Sequence, residues 1–275
     1  MTLTKVLIAS DFQIPFQDNR ATNLWFKVLK GFRPDQVVYA GDIDDACHFG
    51  RWTAGGHNDF INKLPDAPTG DDMLSKTFEY AAPTKQFYAD TREAIGPDAL
   101  MFSALGNHDI RPLEYFDKKN MREVQEHVNP QSLWGLSDIG CDWITYADRP
   151  APLWGGFYVH HGVSISKHAG ESVRNDVDNF GVSLIRGHSH RQGIYHKTYP
   201  LRNETLTGIE LGHFMDPNSA GASYDNVHNW QMGFAVAWIE DNPKVGTVDG
   251  KFAHIELVRI SPDYTCVIGG KRFSA

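Results

Sequence analysis

Apolar positions along this chain follow two textures. In the first, short runs that are apolar at every position alternate with helical spacing. Residues 6–9 (VLIA) form such a run, the pattern of a strand buried on both faces. Ala21, Leu24, Trp25, Val28 and Leu29 then recur at i, i+3, i+4, i+7 and i+8. That is one face of an amphipathic helix which Asp18 can cap and Gly31 can end. The run QVVYAGD follows and stops at Gly41-Asp42, so the order is strand, helix, strand, a parallel βαβ unit. ALMFSALGNHD, GFYVHHG and VSLIRGHSH repeat the plan of a strand ending in polar residues, with helices expected over residues 71–95, 112–128 and 167–179. Pro83 is expected to break or kink the first of these helices.

The second texture begins after residue 193. IYHKTY, TLTGIEL, GFAVAWI and AHIELVRI are β-rich with short turns between them, which predicts antiparallel hairpins. The chain thus reads as α/β in its first half and mostly β in its second. We expect one domain over residues 1–275 with a loop or cap insertion at about 49–83, since residues 49–70 are rich in Gly, Pro, Asn and Asp.

Composition narrows the function classes. The formal net charge of −8 leaves no basic footprint for nucleic acid, which argues against long duplex DNA as a partner. Cys47, Cys141 and Cys266 lack CxxC spacing and suit neither a disulfide framework nor a thiolate zinc site. The first residues lack a signal-peptide pattern, and no stretch reaches the length of a membrane span. A cytoplasmic protein with no membrane partner is expected; the oligomeric state is left open.

The chemistry lies where the apolar runs end. In open α/β sheets ligands sit beyond the carboxyl ends of the strands, and each polar motif occupies such an end. In Asp11-Phe12-Gln13, residues two apart share a side, so Asp11 and Gln13 can face one metal while Phe12 enters the core. Gly41-Asp42-Ile43-Asp44-Asp45 offers a sharp turn and, in Asp42, a carboxylate able to bridge two cations. Gly106-Asn107-His108-Asp109 offers an amide oxygen to a metal, an imidazole to substrate, and in Asp109 a carboxylate able to orient the His108 ring. In His160-His161-Gly162 the neighbours point to opposite faces, leaving one as a ligand. In Gly187-His188-Ser189-His190 alternation puts both histidines on one face. Imidazole with carboxyl and amide oxygens, and no thiolate, suits Mn²⁺, Fe, Zn²⁺ or Ni²⁺. Two such cations would draw phosphate into the cleft of an acidic chain.

Taken in this order, DxQ, GDxxD, GNHD, HG and GHSH resemble the motif series of the calcineurin-like metallophosphoesterase family, over residues 5–191. The resemblance implies an α/β fold: a four-layer α-β-β-α sandwich with two mixed central β-sheets flanked by helices. It implies a dinuclear centre in which Asp11, Gln13 and His190 bind one ion, Asp42 bridges both, and Asn107, His161 and His188 bind the second. His108, not a ligand, would contact the phosphate and protonate the leaving oxygen or stabilise the charge on it, and a hydroxide held by the metals would attack phosphorus in line. The cofactor expected is two divalent metal ions, Mn²⁺ first, with Fe, Zn, Ni or Mg as alternatives.

Asp45, Arg51, Arg111 and Arg191 are candidates for substrate contact, with helix capping, surface pairing or a plain loop as competing readings. Trp52 could stack on a base beside Arg51. His48, His57, His168, His196, His213, His228 and His254 read as ordinary surface or core residues; His213, after Gly212 at a strand end, is the first of them to check. The substrate expected is a small phosphate ester or nucleotide, a phosphodiester ahead of a monoester or phosphoprotein. A DNA nuclease, a slow phosphate- or nucleotide-sensing module and, in a different class, a non-catalytic scaffold are the alternatives.

The family's first motif is most often DxH, and Gln13 stands where that histidine would be. An amide oxygen is a weaker, harder ligand than imidazole, which favours Mn²⁺ or Mg²⁺ over Zn²⁺. Gln13→His is therefore expected to move metal content toward Zn²⁺. Elemental analysis of both proteins after equal exposure to Mn²⁺ and Zn²⁺ checks this; unchanged occupancy and preference would refute it.

Overall fold

Alternation within the apolar runs decides the layers. In β1 (Thr4–Ala9), Leu7 and Ala9 enter one core while Val6 and Ile8 enter another. In β2 (Gln36–Tyr39), Val37 and Tyr39 share the first core and Val38 the second. A strand apolar at every position is thus sandwiched on both faces. The computed structural model describes residues 3–49, 73–222, 229–245, 247 and 249–275.

The first sheet runs β11-β10-β1-β2-β3-β4, with β3 at Leu100–Ala104, β4 at Cys141–Ile144, β10 at Gly233–Asp241 and β11 at Lys251–Arg259. β1 to β4 are parallel, whereas β10 pairs antiparallel with β1 (Thr4 opposite Ile239) and β11 antiparallel with β10. The second sheet runs β5-β6-β7-β9-β8, with β5 at Ala151–Pro152, β6 at Phe157–Val159, β7 at Ser183–Arg186, β8 at Gln192–Tyr199 and β9 at Glu204–Leu211. Here β6, β7 and β9 are parallel and the two edge strands antiparallel.

The sheets share a core in which Val6, Ile8 and Val38 meet Val159, Ile185 and Ile209. On the outer face of the first sheet lie α1 (Asn19–Phe32), α2 (Met73–Ile95) and the short α5 (Pro130–Trp134), through Trp25, Phe87 and Trp134. On the outer face of the second, Val173 and Val177 of α6 (Glu171–Phe180) pack on Leu184 and Leu206. The result is the expected four-layer α/β arrangement, two mixed central sheets flanked by helices.

Several local expectations change. Pro83 neither breaks nor interrupts α2, because buried Ala81, Thr84, Phe87 and Tyr88 hold the run together. Tertiary packing offsets the roughly 3 kcal/mol that proline costs a helix interior. The expected insertion at 49–83 divides: residues 50–72 lie outside the described residues, and Met73 to Pro83 are helix. The stretch 112–128 is not one helix but α3 (Arg111–Lys118) and α4 (Arg122–Gln125), parted by Asn120 at φ 55. α6 starts later than expected because Asp176 and Ser172 accept the backbone N–H groups of Val163, Ser164 and Ser166, tying that segment into a loop. α1 is capped by Asp18 as expected, but it runs through Gly31 to Phe32 and closes on left-handed Arg33. All three cysteines are buried and free, and no helix among the described residues is long and apolar enough to cross a membrane.

Phe12 fastens the first polar loop to this core. It is fully buried, stacked on Phe214 at 4.2 Å and tilted against Phe87 at 4.6 Å. Phe12→Ala is expected to lower stability by about 3–5 kcal/mol, read as a fall in the urea midpoint. An unchanged midpoint would refute the anchoring role.

Candidate metal centre

Each of the polar motifs follows the carboxyl end of a strand: β1, β2, β3, β6 or β7. The loops after β1 and β2 are zipped together by Asp11 N–H to Gly41 O (2.9 Å), Gln13 N–H to Asp42 O (3.0 Å) and Ile14 N–H to Ile43 O (2.8 Å). The expected strand alternation does not extend into these loops. Asp11 and Gln13 have φ of 56 and 55, and His188 and His190 have 75 and 60. Left-handed residues at alternate positions, not a continuing strand, aim the ligand pairs inward. Asp42 is left-handed too, at φ 53.

Two glycines let one motif's ligand nest against another motif's backbone. A Cβ on Gly106 would lie 2.1 Å from Asp42 Oδ1, and one on Gly187 would lie 2.3 Å from Asp11 Oδ2. No L side chain fits at either point.

The side chains form two adjoining groups. In one, His190 Nε2 lies 3.3 Å from Asp11 Oδ1, and the His188 N–H donates to Asp11 Oδ2 at 3.0 Å. Gln13 Nε2 reaches across to Asp42 Oδ2 at 3.1 Å. In the other, one ligand atom each of Asp42, His161 and His188 lie within 4.8 Å of one another. His161 Nε2 is 3.0 Å from Asp42 Oδ2, while its Nδ1 donates to Ala40 O at 2.7 Å. A carbonyl can only accept, so Nδ1 carries the proton and Nε2 is turned to the site. Asp42 stands between the groups.

The donor set fits cations. The Gln13 Oε1, Asn107 Oδ1 and His190 Nδ1 atoms are buried without a hydrogen-bond partner, beside two nearly inaccessible carboxylates. Buried acceptors and anions of this kind are costly unless a cation joins them. His160 is unlike its neighbour: Nδ1 accepts the Gly162 N–H at 2.9 Å and Nε2 donates to Tyr146 O at 3.1 Å, so both ring nitrogens are spent.

Electrostatics follow from the crowding. Burial raises the Asp42 carboxyl, but the His161 and His108 charges outweigh it and hold its pKa well below the usual range. Burial likewise lowers His161, yet the Asp42 and Asp11 carboxylates push it up to about 9. Burial, and then the His161 charge, hold His188 well below the usual imidazole value.

Asp109 does not orient the His108 ring, a correction to the expectation above. Its carboxylate accepts the backbone N–H groups of Asp42 (2.7 Å), Asp44 (2.8 Å) and Gly106 (2.7 Å), pinning two ligand loops together. Burial and then the Asp42 charge raise it to about 7, against the pull of those donors. Asp45 holds the ring instead, with Oδ2 3.0 Å from His108 Nδ1. Arg111 joins them: NH2 lies 2.8 Å from His108 Nε2, and NH1 donates to Asp45 O at 2.8 Å. Arg191 turns away to brace its own loop through Ser189 O at 2.9 Å. Arg51, Trp52, His57 and His228 lie outside the described residues.

Sequence reasoning missed three features. Arg186 and Asp176 form a fully buried ion pair at 2.7 Å that ties the loops after β6 and β7, with Arg186 also donating to Ser164 O and Gly187 O. Tyr146 stands edge-on to His161 at 6.1 Å. Trp230 stands edge-on to His190 at 4.5 Å, where His213 also stacks on His190 at 5.3 Å. Only His213 had a signal, the Gly212-His213 step after a strand.

Two curated relatives span nearly the whole chain. The gene 54 proteins of Mycobacterium phages D29 and L5 are each 29% identical over 261 residues, 93% of either chain. No family model matches. Among solved structures, a single-residue mutant of Vps29 from Entamoeba histolytica aligns at TM-score 0.45 and 12% identity, over 98% of this chain and 99% of that one. Vps29 from Cryptosporidium parvum aligns at 0.43 and 12%, over 100% and 97%. Wild-type E. histolytica Vps29 complexed with Zn²⁺ aligns at 0.40 and 11%, over 98% and 95%.

The His161 proton must leave before Nε2 can bind a metal ion. Metal uptake at pH 7 is therefore expected to release a proton, and affinity to rise with pH through about 9 and level off above it, where His161 is already neutral. Calorimetry in buffers of different ionisation enthalpy reads the release directly. Heats independent of buffer would contradict the linkage.

Proposed function

We propose that this chain is a metal-dependent phosphoester hydrolase of the calcineurin-like type, acting on a nucleotide-type phosphodiester. The observation that carries the reading is the convergence of strand-end loops on buried Asp11 and Asp42, with the Gln13 and Asn107 oxygens left without partners. Asp11, Gln13 and His190 would hold one divalent cation and Asn107, His161 and His188 a second, with Asp42 shared. Mn²⁺ suits this mixture of imidazole with carboxyl and amide oxygens. Two such cations would supply Lewis-acid chemistry, drawing charge from the phosphoryl oxygens and acidifying the attacking water.

The chain's own groups then have separate tasks. Asp45 fixes the His108 ring by Nδ1, so Nε2 is the nitrogen that meets the leaving oxygen. Water forms the new P–O bond as the ester P–O bond breaks; with Arg111 NH2 displaced, His108 protonated at Nε2 gives that proton to the departing alkoxide, and the proton lost by the water passes to solvent, from which the imidazole is recharged. Asp109 contributes by rigidity, since its three backbone partners set the spacing between Asp42 and the His108 loop.

A Mn²⁺-supplemented panel of p-nitrophenyl phosphate, bis-p-nitrophenyl phosphate, cyclic nucleotides and single-stranded DNA tests the reading. Diester turnover is expected, with His108→Ala slower by about 10²- to 10⁴-fold and metal content unchanged. Turnover confined to monoesters would overturn the diester assignment. No turnover at all would leave a non-catalytic scaffold.

A further inference from the structure

Resting on the reading above, in which His108 serves the leaving oxygen, we infer that Arg111 selects esters whose leaving group carries a further phosphate beside the scissile bond. Arg111 is held in the same turn as His108, its backbone N–H donating to His108 O at 3.0 Å. NH1 is anchored on Asp45 O, and Asp45 Oδ2 takes His108 Nδ1. NH2 then lies 2.8 Å from Nε2, the one ring nitrogen left for substrate. That nitrogen is 3.9 Å from Asp42 Oδ2, so the ring borders the ligand cluster directly.

The guanidinium therefore stands at the place the leaving oxygen must reach. It also stands at the rim, because the Arg111 and His108 side chains are 23% and 19% exposed while Asp45 is 6% exposed. An incoming ester has to displace NH2 from Nε2. An anionic oxygen on the leaving group gives the displaced N–H donors a new acceptor, and Arg presents a planar fork that matches phosphate. The oxygens of the reacting phosphoryl itself would face Asp42, whose Oδ2 lies 3.9 Å from Nε2, whereas the guanidinium is tied back to Asp45 O through NH1. What Arg111 reads is the part of the substrate that departs.

A buttress for His108 would serve every substrate alike, whereas a receptor for leaving-group charge serves only the charged one. Dithymidine phosphate with free terminal hydroxyls, and the same dinucleotide phosphorylated at both ends, separate the two roles. With Mn²⁺-loaded protein, kcat/KM is expected to favour the phosphorylated dinucleotide by about 10- to 100-fold, the range of a charge-assisted contact. Arg111→Ala should abolish that preference and Arg111→Lys retain part of it. Binding of the uncleavable methylenephosphonate isosteres, followed by calorimetry, should show the same ordering independently of turnover. Equal losses on both dinucleotides would overturn the inference and leave the hydrolase reading standing. Discrimination in binding without turnover would sustain the Arg111 assignment and sink the hydrolase reading. Neither turnover nor discrimination would end both.

Discussion

Two carboxylates, Asp11 and Asp42, are buried almost completely where the first two parallel strands end. Two adjacent anions out of water are unfavourable unless cations and hydrogen-bond donors surround them. The rest of the site is arranged around that problem. The His188 N–H serves Asp11, the His108 N–H serves Asp42 at 2.9 Å, and His161, His190 and the Gln13 amide close on the same oxygens. Glycines at 106 and 187 exist to let those oxygens approach backbone. The residual acceptors, Gln13 Oε1 and Asn107 Oδ1, are left without partners beside those carboxylates.

Rigidity is supplied from beneath. Asp109 binds three backbone N–H groups of two ligand loops, and the Arg186–Asp176 pair ties the other two histidine-bearing loops. Removing one partner of such a buried pair typically costs about 3–5 kcal/mol, because the other charge is left uncompensated. Neither group faces substrate. Both hold together the loops that carry the candidate ligands.

Much of the plan was legible in the chain. Runs such as VLIA and QVVY admit few structures other than doubly covered strands, so the strand ends, and with them the candidate ligand residues, could be placed. The reasons for the placement were less legible. Alternation stops where the strands end at Ala9 and Arg186, although backbone hydrogen bonds continue between the loops, and the left-handed turns that replace it leave no mark in non-glycine residues such as Asp11 or His190. Asp109 looked like a partner for its neighbour His108, yet its hydrogen bonds go to residues more than 60 positions away as well as to Gly106. Arg186 sits inside an apolar run and gave no hint of its buried partner. Tyr146 and Trp230 are single aromatics outside any periodic pattern, so only tertiary structure brings them to the histidines.

The pairing of β1 with β10 carries a consequence for how the molecule is made. β1 lies between β2 and β10, and the register that closes its second edge joins Thr4 to Ile239. During synthesis the N-terminal strands can assemble early, but β1 keeps an unpaired edge until more than two hundred further residues have left the ribosome. An open apolar edge is a template for pairing with other chains. Nascent chains halted before residue 233 therefore expose the strand that leads into Asp11, so fidelity of translation and chaperone cover over that interval bear directly on how much protein completes the first sheet.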